Sequence, residues 1–312
     1  MNEKLTNILK TKADLRLKDG KFKILTFGSL FAGKDNCEEI RGAIEKYLEQ
    51  TNPDLVFFNG NVTTGIPSKD ELKAVLDVIT APIVSRGILW AHVFGDRDSR
   101  NGLPNSEAME VYDICKNCIS IAGDFGIDGC SNYVLPIMGE GEKPEICIYC
   151  FDTHQEIGEY EKKYGSPTRG RLANTLYGEH YMDGVRFNQS MFYWDASCEL
   201  EAAFGAKVPA MFMFHTPIPE FGTVIMNQSR AGFKGYQYQW MRGQVVAGGL
   251  FEAAIERREA KAIICAHADG NHFTGTYARI LFAQARDMLL HGSTAALLVE
   301  VRAGGEVSAE LL

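Results

Sequence analysis

No stretch of this chain approaches the roughly 18 consecutive apolar residues that a membrane-spanning helix needs. The opening MNEKLTNILKTKADLRLKDGKFK lacks an apolar core and a small-residue cleavage site. No signal peptide is therefore expected, and the cytoplasm is the expected location. Positive charge is scarce: 32 Lys and Arg stand against 40 Asp and Glu, a formal net charge of −8. That argues against nucleic acid as the main partner, because phosphate contacts require a basic excess, and with no membrane-spanning stretch no membrane partner is expected. A small anionic ligand reads only its local pocket and stays open. With 31 Gly and 10 Pro in 312 residues, collagen-like and low-complexity classes are excluded. No internal repeat and no linker is visible. A chain of this length buries most of its apolar surface and needs no disulfide or structural metal to fold.

The eight Cys sit in apolar runs such as Glu145-Ile-Cys-Ile-Tyr-Cys-Phe151, where Cys acts as a small hydrophobe. Two C-x-x-C pairs, Cys115/Cys118 and Cys147/Cys150, invite a zinc-ribbon reading. The first closes a helical pattern running from Ser106 to Cys118. The second lies in a strand-like run, where residues three apart point to opposite faces. Buried cysteine is the expected role of both.

Along the chain, short apolar runs alternate with helical patterns. Strands are expected at Phe22–Phe27, Leu55–Phe58 and Ile88–Phe94, with helices between them. One helix opens at Asn36, carrying Ile40, Ile44, Tyr47 and Leu48 at helical spacing. Another opens at the capping box Ser68-x-x-Glu71, followed by Leu72, Val75, Leu76 and Ile79. After Gly129 come strands Tyr133–Met138 and Ile146–Phe151 with no helix between them. Residues 154–186 read as a surface loop, Asn188–Phe204 as a helix, Ala210–Phe214 as a strand and 222–249 as a second loop. A helix at Gly249–Ala260 and a strand at Ala262–Cys265 follow. The end, Thr276–Phe282, Ala296–Val301 and Glu306–Leu311, reads as an antiparallel meander. Residues 1–20 read as an extension and 21–312 as one α/β domain of two packed sheets with outer helices.

Five of these strands end in short polar turns: Phe27-Gly-Ser-Leu-Phe31, Phe58-Asn-Gly-Asn-Val62, Phe94-Gly-Asp-Arg-Asp98, Phe214-His-Thr-Pro217 and Cys265-Ala-His-Ala-Asp269. Ligands of α/β sheets bind beyond the carboxyl ends of strands. In this order the turns resemble the motifs D-x-H, G-D, G-N-H-D, a lone His and G-H-x-H of the calcineurin-like metallophosphoesterases, closest to the single-domain, purple-acid-phosphatase-like branch. The resemblance covers about residues 21–302. It implies a four-layer αββα sandwich of two mixed sheets, a phosphomonoesterase activity and a two-metal site.

Against that pattern the motifs are altered. Ser29 and Phe31 stand for the Asp and His of D-x-H. Asn61 stands for the metal-bridging Asp, Asp96 for the Asn ligand and Arg97 for the catalytic His of G-N-H-D, where Asp98 is kept. His215 and His267 are kept, and Asp269 stands for the last His. Two divalent ions about 3.5–4 Å apart repel by roughly 19 kcal/mol at an effective dielectric of about 20, and a bridging carboxylate offsets this. Asn61 has no charge to bridge with, and Phe31 offers no ligand. The half-site of Ser29, Phe31, Asn61 and Asp269 is thus not expected to hold metal. The other half, Asn61, Asp96, His215 and His267, forms a credible mononuclear set for Zn, Mn or Fe. Equally open is a metal-free pocket in which Asp96 pairs with Arg97 or a His.

Arg97 keeps its proton at neutral pH and cannot serve as a general acid, but its planar fork binds anions. A simple salt bridge to Asp96 or Asp98 is the competing reading. Candidate catalytic residues are therefore Arg97 and Asp98. His154, His272, Tyr236 and Trp240 are candidate rim residues, with Tyr238 beside them. His92 is expected in the core, and His180 and His291 at the surface. Together these residues predict a phosphoesterase relative with weak or absent activity. It would hold at most one divalent metal and keep affinity for a small anionic or phosphorylated ligand. The alternative is a non-catalytic module that binds a ligand or a protein.

Overall fold

The computed structural model describes residues 3–100, 102–123, 125–154, 182–239, 243–244, 247–267, 270–290 and 292–312. In chain order the elements begin α1 (Glu3–Ile8), β1 (Leu15–Arg16), β2 (Lys21–Phe27), α2 (Cys37–Thr51), β3 (Leu55–Asn59), α3 (Lys69–Ser85), β4 (Leu89–Val93) and α4 (Asn105–Ile114). They continue with β5 (Tyr133–Met138), β6 (Pro144–Phe151), α5 (Phe187–Phe204), β7 (Ala210–Phe214), α6 (Glu220–Met226), α7 (Gln228–Ala231) and β8 (Lys234–Tyr236). The last are α8 (Leu250–Arg257), β9 (Ala260–Cys265), β10 (His272–Tyr277), β11 (Ile280–Gln284), the small hairpin β12 (Leu289–Leu290) and β13 (Ser293–Thr294), then β14 (Leu297–Arg302) and β15 (Glu306–Leu311).

The strands form a five-stranded sheet, β15-β14-β2-β3-β4, and an eight-stranded sheet, β1-β5-β6-β7-β9-β11-β10-β8. Strands β2, β3 and β4 are parallel, as their helical crossovers require. Every residue of β3 and of β7 is buried. That is why these strands read as unbroken apolar runs rather than alternating ones. Three apolar clusters make four layers. Ile24, Leu55, Phe57 and Val93 of one sheet meet Leu135, Ile148, Met211 and Ile264 of the other. Ile40, Ile44 and Leu48 of α2 and Leu72, Leu76 and Ile79 of α3 cover the outer face of the smaller sheet. Tyr193 and Leu200 of α5, with Phe221 and Leu250, cover the larger. No helix among the described residues is long and apolar enough to cross a membrane.

Several sequence expectations need correction. Within the N-terminal extension, Leu5, Ile8 and Leu15 are buried, and β1 pairs in parallel with β5. The stretch 222–249 is not one loop. It contains most of α6, all of α7, and β8; the apolar Phe221, Val224 and Ile225 bury one face of α6. The expected strand Thr276–Phe282 is two strands, folded at Ala278 and Arg279, both in left-handed backbone. The terminal strands also do not form one meander: β10 and β11 lie in the large sheet, β14 and β15 in the small one. Helix α4 ends at Ile114, short of the C-x-x-C pair. Cys115, Cys118, Cys147 and Cys150 are all buried, and burial pushes their thiols up, away from the thiolate a metal would need.

His92 lies in the core as expected. Its ring stacks on Tyr112 at 3.5 Å, and Nδ1 lies 2.8 Å from Ser120 Oγ. Burial first, and the charge of Lys12 second, push this imidazole down to about 3. An unfolded His titrates near 6.5, so between those values the unfolded chain binds the extra proton and stability rises with pH. The stabilising share of His92 is complete above pH ~6.5 and falls by about 1.4 kcal/mol per unit below it. Urea unfolding at about pH 7 and pH 5 is expected to show the wild type losing about 2 kcal/mol more than His92→Phe. Parallel losses in the two proteins would remove His92 from this role.

Candidate metal centre

The five polar turns converge at one end of the sandwich, and glycine makes the approach possible. Gly60 adopts φ +86°, and a Cβ there would lie 2.5 Å from the His215 ring. A Cβ on Gly95 would lie 2.4 Å from Asn61 Oδ1. With hydrogen at these positions, the turns after β3, β4 and β7 close on one another.

Asp96, His215 and His267 bring one ligand atom each within 4.8 Å of one another. Asp96 Oδ1 lies 3.1 Å from His215 Nε2 and 3.2 Å from His267 Nδ1, and those two nitrogens are 3.3 Å apart. Asp96 and His215 are buried, and little of the His267 side chain is exposed. His215 Nδ1 donates to the carbonyl of Asn59 at 2.8 Å. This fixes the tautomer, so a neutral His215 points the Nε2 lone pair at the Asp96 carboxylate. Two acceptors facing each other at 3.1 Å need a proton or a cation between them. Burial raises the Asp96 carboxyl, but hydrogen bonds from His215 and His267 outweigh it and hold Asp96 well below the usual carboxylate range. Burial likewise opposes charge on His215, and Asp96 overcomes it and raises the imidazole. The donor set, two imidazoles and one carboxylate with a fourth position open, fits a borderline divalent ion. Metal-free, the same atoms are held by shared protons. Of the two readings left open by the sequence, the geometry accommodates both.

Asn61 is placed at the centre but not as expected. Its Oδ1 accepts the Arg97 backbone N–H at 2.8 Å. Its NH₂ therefore faces the cluster, 2.9 Å from both Asp96 Oδ1 and His215 Nε2. The amide presents donors where a metal needs an oxygen, so Asn61 orients the ligands rather than joining them. Asp98 also needs correction. Its carboxylate accepts backbone N–H groups from Asn61 (2.9 Å), Gly95 (2.8 Å) and Thr63 (3.0 Å). Burial pushes it up to about 6 despite those donors. Asp98 is a brace that ties two turns together, not a group free to meet a ligand.

Arg97 makes a long ion pair with Asp96, Nε to Oδ2 at 3.8 Å, and lies over the Phe31 ring at 5.2 Å. Phe31 holds left-handed backbone, φ +50°, anchored by its N–H on the Asn61 carbonyl. Ser29 is buried, and its hydroxyl has no partner among the described residues. Asp269, Trp240, His180, His291 and residues 155–181 of the first loop lie outside the described residues. Tyr236 sits in the edge strand β8, edge-on to His272 at 6.1 Å. His272 opens β10, and burial pushes its imidazole down to about 4. His154 follows β6 in left-handed backbone. Neither histidine is part of the Asp96 cluster.

No family model matches the chain. It is 24% identical to probable inactive purple acid phosphatase 14 of Arabidopsis thaliana over 307 residues, spanning 88% of this chain and 72% of that protein. It is 23% identical to probable inactive purple acid phosphatase 28 of the same plant, spanning 85% of this chain and 69% of that one. Both of these similar proteins carry the name purple acid phosphatase, in line with the resemblance of the turn motifs. A dimetal phosphatase from Danio rerio shares the fold with a TM-score of 0.58, at 10% identity, over 92% of this chain and 98% of that one. At the turns that resemble two-metal motifs, Asn61, Arg97, Phe31 and Ser29 depart from the pattern, while Asp96, His215 and His267 form a cluster able to take an ion.

Proposed function

We propose that this chain is a phosphoesterase relative that holds at most one divalent ion, Zn, Mn or Fe, on Asp96, His215 and His267. It binds a small anionic or phosphorylated ligand there and hydrolyses phosphomonoesters weakly or not at all. The observation that carries this reading is that, among the described residues, the cluster holds one carboxylate, Asp96, beside Arg97. One carboxylate suits one ion, and a second ion would lack the negative charge that offsets its repulsion. When bound, the ion would polarise a phosphoryl oxygen and acidify a bound water. The residues of the chain orient the ligand: Arg97 supplies a permanent cation, and Asn61 and Asp98 set the turns that carry it. Nothing at position 97 exchanges a proton at neutral pH, and a missing general acid alone costs ~10²–10⁴-fold in rate. The net charge of −8 supports a small ligand rather than a nucleic acid.

The test is metal analysis of protein purified without chelator or a nickel column, paired with hydrolysis of a generic aryl phosphate. The expected result is one ion or less per chain and turnover far below that of an intact family member. Two ions at full occupancy with rapid metal-dependent turnover would overturn the reading.

A further inference from the structure

We propose that Arg97, resting on the Phe31 ring, takes the place of a second metal ion and supplies the second positive charge against which an oxyanion docks. This inference rests on the one-ion reading of the Asp96 cluster. Asp96 divides its two oxygens: Oδ1 faces the two histidines, while Oδ2 faces Arg97 Nε at 3.8 Å. One carboxylate thus stands between the ion position and the guanidinium, as it would between two cations. The Arg97–Asp96 separation exceeds hydrogen-bonding distance, so the contact neutralises charge without consuming the donors of the fork.

Position and access support the same role. The Arg97 side chain is 40% exposed, and among the described residues Asp96 is its one ion-pair partner. The Phe31 face lies 5.2 Å from the guanidinium carbon, within cation–π range. Asn61 fixes both halves of this pair, accepting the Phe31 N–H on its backbone carbonyl and the Arg97 N–H on its side-chain oxygen. Phe31, a useless ligand, is thereby a platform that keeps the cation aimed.

The charge count favours the arrangement. With one divalent ion and one carboxylate, the cluster carries a net charge of about +1. A second divalent ion would make it about +3, whereas Arg97 makes it about +2 and needs no further ligands. An oxyanion such as phosphate would then share its oxygens between the open ion position and the planar fork of Arg97.

The experiment titrates metal-loaded protein with inorganic phosphate by calorimetry and measures metal content on the same samples. Arg97→Met is expected to keep one ion and lose about tenfold or more in phosphate affinity, the scale of a lost charge-assisted contact. Arg97→Lys should fall between, because its ammonium is a point charge without a fork. Phe31→Leu should keep the ion and weaken phosphate severalfold. If Arg97→Met retains both its ion and wild-type phosphate affinity, this inference fails while the one-ion reading stands. If the wild type binds two ions, both fall together; if it binds none, this inference alone falls.

Discussion

Asp96→Ala protein is expected to lose its divalent ion while remaining folded. Asp96 is the hub of the centre: its Oδ1 accepts from Asn61 and faces both histidines, and its Oδ2 balances Arg97. Removing it leaves two imidazoles and a guanidinium with no anion among them. An outer-shell partner typically costs 10–100-fold in metal affinity when lost. A direct ligand that also carries the one negative charge of the cluster among the described residues should cost more than about 100-fold. Folding should suffer less, because Asp96 is held by side chains of the neighbouring turns, whereas Asp98 ties down backbone amides. Asp98→Ala makes the informative contrast. Its three backbone partners hold the turns after β3 and β4, so it should lower the unfolding temperature markedly while folded molecules keep their ion. Metal content by mass spectrometry and thermal unfolding on both variants decide the matter. Full occupancy in Asp96→Ala would remove Asp96 from the centre.

The second large effect is a gain. The combined substitution Ser29→Asp, Phe31→His, Asn61→Asp, Asp96→Asn, Arg97→His and Asp269→His restores the phosphoesterase motifs at the turns. Asn61 already sits where a bridging carboxylate would, 2.9 Å from His215 Nε2. The rebuilt chain is expected to move from one ion to two and to hydrolyse an aryl phosphate at least ~10²-fold faster, the low end for restoring a general acid. A folded variant with no extra ion would mean that the turn backbones themselves have shifted. The left-handed conformations of Phe31 and Asn61 are where such a shift would reside.

Much of this was legible in the sequence because it rests on local signals. Buried parallel strands announce themselves as apolar runs, and five of them ended at the expected turns. The pairing of Asp96 with His215 and His267 followed from motif order alone. What failed depended on long-range packing or on hydrogen-bond direction. Residues 3–16 carry too few apolar residues to show that α1 packs against α5. The Gly-, Gln- and aromatic-rich stretch 222–249 hid two short helices whose stability comes from tertiary contact rather than propensity. The role of Asn61 turned on which end of its amide faces the ligands, set by the Arg97 N–H. Asp98 looked like chemistry because of its neighbours, yet three backbone amides claim it.

The pairing of β14 with β2 has a consequence for synthesis. Leu297 sits opposite Thr26, so the strand that feeds the Ser29–Phe31 turn gains one neighbour only after residue 297 has been made. Until then β2 presents an open edge to its surroundings, and contacts of such sequence separation close slowly. Ribosome-bound chains stopped before residue 297 should therefore be protease-sensitive and prone to aggregate, and they should depend on chaperones. Release past Arg302 should seal that edge and set the Ser29 turn in one cooperative step.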